Sequence, residues 1–162
     1  MKDKKAKLWT IIIVVVAIIL LLPLVVFMFS STTSLLPNEI VSNKALDDKI
    51  EFVEKESFAK DNKVMIVFKN TLKDELELSK KNLKIIDNNT LHCEVVQISN
   101  MDAGVVNVDK INLKGKESGA LELKCDTIND SRFETGISFG FKDIKTQEMI
   151  QGDVSIDLIV SN

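Results

Sequence analysis

The chain has 162 residues, 45% of them hydrophobic, with 21 Lys and Arg against 24 Asp and Glu and a formal net charge of -3. An acidic balance with one arginine, Arg132, and no basic stripe excludes the clustered positive charge that nucleic acid demands. One histidine and two cysteines leave few groups for metal or nucleophilic chemistry.

Residues 1–7 form a basic tail, with Lys2, Lys4, Lys5 and Lys7 against Asp3. Leu8 to Phe29 then runs for 22 residues without a charged side chain. As a helix rising about 1.5 Å per residue it reaches about 33 Å, enough for a hydrocarbon core of about 30 Å. It is expected to be a transmembrane helix. No Lys or Arg comes after it until Lys44, so the tail is expected in the cytoplasm and the rest of the chain outside. A cleaved secretory signal has a shorter apolar stretch and small residues before its cut; here Phe27, Met28 and Phe29 stand in those places, which favours an uncleaved signal-anchor. Pro23 reads as a tolerated kink. The span lacks glycine and any ionisable residue, so it offers neither a close-packing seam nor an ion path. Its role is to hold the remainder of the chain at the membrane.

Residues 30–48 are polar at first, are broken by Pro37 and show no period, and read as a stalk. From Lys49 to the end, residues 49–162, the period is two and the expectation is mainly β. Ile50 and Phe52 begin a strand, and Lys63 to Lys69 is apolar on both faces, as in a strand at the centre of packed sheets. Leu72 to Lys81 is rich in helix formers yet alternates at Leu76 and Leu78, which leaves a helical turn and a strand both open. Asn82 to Ile86 and Leu91 to Ser99 read as strands around a turn at Asp87 to Asn89. Val105 to Leu113 changes phase, which predicts a bulge or bend near Asp109 and Lys110. Leu121, Leu123 and Cys125 alternate with Glu122, Lys124 and Asp126; Ile137, Phe139 and Phe141 obey the same rule, as do Val154, Ile156, Leu158 and Val160. About seven short strands joined by polar turns describe an antiparallel β-sandwich. Its core is expected from Ile50, Phe52, Val64, Ile66, Phe68, Leu121, Leu123, Ile137, Phe139, Phe141, Val154, Ile156 and Leu158. Tyrosine is absent, so the tyrosine corner of many immunoglobulin domains is missing.

Cys93 and Cys125 both lie on apolar phases of strands. On the oxidising side of a membrane they are expected to form a disulfide, the alternative being two buried thiols. Its loop would add about 3.7 kcal/mol on the chain-entropy view. Two cysteines and one histidine are too few for a closed zinc site. His92 faces away from its neighbour Cys93, which excludes a Cys-His nucleophile between them. Glu54 with Glu56, and Glu75 with Glu77, share strand faces; a solvated acidic surface is the ordinary reading, against a hydrolase or cation site. Asn88 and Asn129 head Asn-X-Ser/Thr triplets in expected turns and are candidate glycosylation sites. No cofactor, metal site or small-molecule substrate is indicated.

The order of a strand through Cys93, the loop GKESG, the strand LELKC and then ETGISFGFKDIKTQEMIQGDVSIDLIV resembles small archaeal surface proteins with an N-terminal membrane helix and an immunoglobulin-like sandwich. That group includes type IV pilin-like proteins and sandwich subunits of the archaellum stator. The resemblance implies an immunoglobulin-like ectodomain and, for pilin-like members, leader cleavage before the apolar run, here between Ala6 and Lys7. The expectation is a non-enzymatic cell-surface structural or interaction protein with protein partners or self-association, in a pilus or archaellum-type assembly. A surface ligand-binding module for glycan or cation is the alternative. The last strand, Val154 to Val160, is expected at a sheet edge as the docking element.

Overall fold

Short runs of alternating apolar and polar residues become strands throughout residues 37–161, which this computed structural model describes apart from 87–91, 108, 127 and 129–130. The tail, the apolar run 8–29, the Ala6/Lys7 cleavage point, Asn88 and Asn129 lie outside the described residues. Among the described residues no helix is long and apolar enough to cross a membrane.

The elements in chain order are β1 (Glu39–Ser42), α1 (Lys44–Asp47), β2 (Ile50–Phe52), β3 (Phe58–Lys60), β4 (Lys63–Asn70), β5 (Leu76–Ile86) and β6 (Cys93–Asn100). They continue as β7 (Val105–Asn107), β8 (Lys110–Leu113), β9 (Ser118–Cys125), β10 (Arg132–Asp143) and β11 (Met149–Ser161). All the strands belong to one mixed sheet in the order β7-β6-β9-β4-β3-β11-β10-β5-β8, with β1 added to β11 and β2 to β4. Two antiparallel ladders make up this path. They join where β11 runs parallel to β3, pairing Val160 with Ala59 and Ser161 with Lys60.

The path doubles back, because residues far apart along it touch. Phe68 of β4 lies edge-on to Phe139 and Phe141 of β10, with ring centroids 5.9 and 5.6 Å apart, and Phe52 meets Phe139 at 5.3 Å. These rings fill the centre of the core, where tilted pairs add about 0.5–1.5 kcal/mol each beyond simple burial. Every residue expected inside is buried except Phe52, which is half-buried. The disulfide between Cys93 and Cys125 is present and links directly opposite residues of β6 and β9.

Three features depart from the sequence expectation, and a fourth settles a choice that the sequence leaves open. The supposed stalk is part of the fold from Asn38 onward: β1 pairs with β11, and Leu46 of α1 is fully buried. The Asn43 side chain accepts from the Ala45 N–H and caps α1. A Cβ at Gly152 would collide with the Asn43 and Leu46 side chains, so glycine is what lets α1 sit against β11. A four-residue strand and a single helical turn are too short to establish a period, which is why this stretch looks irregular in sequence.

The ambiguous stretch around Leu76 is strand, since Leu76 and Leu78 are buried and paired on both sides, to β10 and β8. The phase change near Asp109 is larger than a bulge. Val105–Asn107 pairs with β6 in one ladder and Lys110–Leu113 with β5 in the other, so the chain crosses between ladders there. Lastly, β11 is no edge strand: β10 covers one side and β1 and β3 the other. Pairing partners arise from distant sequence, which an isolated run of alternating residues does not disclose.

Replacing Leu46 by Ala should lower the stability of the full chain in micelles by about 2–5 kcal/mol, whereas Lys44→Ala on the exposed side of the same turn should stay within about 0.5 kcal/mol; thermal unfolding of the β signal measures both. A pH effect arises from Asp143 in the β10–β11 turn, whose carboxylate accepts from the backbone N–H of Thr146 at 2.9 Å and of Lys145 at 2.8 Å. The Thr146 bond, opposed by burial and aided by Lys145, holds this carboxyl below its ordinary range. Its stabilisation is therefore complete above the unfolded carboxylate value of about 4 and lost as pH falls through the lower folded value. Asp143→Asn should flatten that part of the acid unfolding curve.

Candidate binding groove

Because side chains alternate, each strand of the ladder β1-β11-β10-β5 sends every second residue outward. The pairing register then sets those residues in rows. One row is Val41, Ser155, Gly136 and Ile86 across the four strands. The next is Glu39, Asp157 and Glu134. Small residues at the two central strands and larger ones at the flanks leave a groove of about 590 Å³, with Ser155 and Gly136 as floor and Val41 and Ile86 as walls. Val41 is 53% and Ile86 40% exposed. A shallower depression of about 380 Å³ continues it past Asn43 and Asp153. At Gly136 a Cβ would lie 3.3 Å from the Ile86 Cβ, so any side chain there would begin to fill the floor.

The acidic end of the groove is organised by Arg132. Its Nε donates to Asp157 Oδ1 at 2.6 Å and its Nη2 to the Pro37 carbonyl at 3.4 Å. The Asp157 bond holds the guanidinium above its ordinary value; desolvation opposes this, and the charges of Asp157, Glu134 and Glu39 add to it. Asn38 locks the same corner. Its amide donates to the carbonyls of Glu54 and Ser57, and its Oδ1 accepts from the Ile159 N–H. Glu54 in turn accepts from the Ile40 N–H, which takes an outward donor of β1 out of play.

The residues singled out from sequence stand elsewhere. Cys93 and Cys125 are bonded to each other, so neither offers a thiolate. His92 is exposed beside them. Glu54 and Glu56 lie on a turn outside the groove, and Glu77 pairs with Lys110 at 3.1 Å. Among the described residues no three of His, Cys, Asp and Glu converge as metal ligands. Sequence alone does not mark the groove residues. The one local signal for them is a pair of small outward residues, Gly136 and Ser155, in strands whose register was still unknown.

No family model matches the chain, and no curated protein matches it. Among solved structures it is similar to a FixG-related protein from Vibrio parahaemolyticus, at 14% identity and a TM-score of 0.31, over 77% of this chain and 95% of that one. It is also similar to the N-terminal domain of PorA, at 12% identity and a TM-score of 0.34, over 70% of this chain and 96% of that one.

Arg132→Gln should loosen the corner that ties Pro37 to β10 and β11. The pair is partly exposed, so the expected loss is about 1 kcal/mol, shrinking at high ionic strength, and faster hydrogen exchange at the Ile159 amide would report it.

Proposed function

We propose that this chain is a single-span cell-surface protein, with its N-terminus in the cytoplasm, whose β-domain acts by contact with other proteins and not by catalysis. The groove carries the contact reading: two exposed aliphatic walls over a floor of small residues, with an acidic row beside them. The apolar run 8–29 behind a lysine-rich tail supports the anchored location. A disulfide in the β-domain is in keeping with an oxidising exterior. We read the doubled-back sheet as an immunoglobulin-like sandwich, in which β11 passes from one layer to the other. On the resemblance of its second half to archaeal surface proteins, the partner belongs to a surface assembly of pilus or archaellum type.

A photo-crosslinking residue at Val41 in cells that express the full chain should give adducts heavier than the chain, while the same residue at Lys73, exposed and outside the groove, should not. Equal yields at the two positions, or none at Val41, would remove the groove from the reading.

A further inference from the structure

We propose that the groove takes an extended, lysine- or arginine-bearing segment of a partner protein, with an apolar side chain seated between Val41 and Ile86 and a cation against Glu39 and Glu134. This rests on the contact reading above and names the chemistry of the partner.

Shape selects an extended segment. Val41 and Ile86 stand on strands three spacings apart, or about 14 Å between backbones at about 4.8 Å per spacing. Once the two aliphatic side chains have taken their share, the slot is narrower than a helix with its side chains, which measures about 10–12 Å across. A single extended chain, at about 4.8 Å from strand to strand, is the narrower occupant. The volume of about 590 Å³ lies inside the range of about 300–1,000 Å³ typical of small-molecule pockets, room for a side chain or two of such a segment. Addition of a strand at the edge of β1 is disfavoured, because Glu54 already occupies the Ile40 N–H.

Charge selects a cation. Arg132 engages Asp157, while Glu39 and Glu134 are exposed and, among the described residues, have no cationic side chain within salt-bridge distance. Behind the Asp157 hydrogen bond, their charges add to what favours the charged form of Arg132. A second copy of this chain is a poor occupant by the same measure, because residues 30–162 carry 17 Lys and Arg against 23 Asp and Glu. Two such domains repel each other at long range, and a basic partner is drawn in.

The test uses the full chain in a non-ionic detergent with two fluorescent octapeptides, one alternating valine and lysine and one alternating valine and glutamate. Anisotropy should show binding of the lysine peptide alone. Glu39→Gln with Glu134→Gln should weaken it by about tenfold, and Val41→Ser with Ile86→Ser should weaken it at least as much. Glu148→Gln, exposed and remote from the groove, should change nothing, and unaltered circular dichroism would confirm that each variant folds. Equal binding of both peptides, or binding indifferent to the paired Gln variant, overturns the proposal. So does a dimer of the unliganded chain that dissolves on Val41→Ser, which would make the occupant a second copy. Crosslinks at Val41 that persist without any lysine-peptide binding would leave the contact reading standing and remove the basic segment.

Discussion

Strand β11 is bonded to three neighbours at once. β10 runs along one side of it from Met149 to Ile159, while β1 takes residues 154–157 and β3 takes residues 160–161 on the other. Among the described strands, no other belongs to both ladders. The inward residues of β11, Val154, Ile156 and Leu158, enter the common core, and its outward residues, Ser155 and Asp157, line the groove. Whatever disturbs β11 therefore disturbs the closure of the core and the shape of the candidate site together. Gly152 and the Asn38 corner are secondary to it, since both serve to bring the entering chain onto this strand.

Around that junction the stabilising contributions are distributed. The phenylalanines at 52, 68, 139 and 141 hold the two ladders face to face at mid-length. The disulfide ties β6 to β9 in the ladder that lacks β10. Buried polar groups are satisfied within the same frame. Asn70 donates to the carbonyls of Asp74 and Leu113, which pins the loop after β4 to β8, and Asn100 donates to that of Asn112, which ties β6 to β8. Leaving such groups unpaired would cost about 1–3 kcal/mol apiece, which makes these asparagines poor sites for apolar replacement.

Much of this was legible in sequence, because a period of two is a local property. The inward phases of β4, β9, β10 and β11 and the pairing of Cys93 with Cys125 can be read from side-chain alternation and the expected compartment. What stayed hidden depends on tertiary contact. β1 and α1 are too short to show a period, and their place is set by Leu46 meeting Gly152 and by Asn38 meeting Ile159. The bulge in β6 between Val95 and Gln97 shifts the inward set from Val95 to Ile98 with no turn residue to announce it. The groove was hidden for the same reason. Val41 and Ile86 face each other only through the register of two intervening strands.

Native-state hydrogen exchange on the full chain in micelles tests most directly whether β11 makes one cooperative unit of the two ladders. If it does, amides of β4 and β9 in one ladder and of β10 and β11 in the other will open in a single event with a common free energy. Persistent protection of β4 and β9 under conditions where β10 and β11 have already exchanged would contradict it, and would make the two ladders separate units that merely touch.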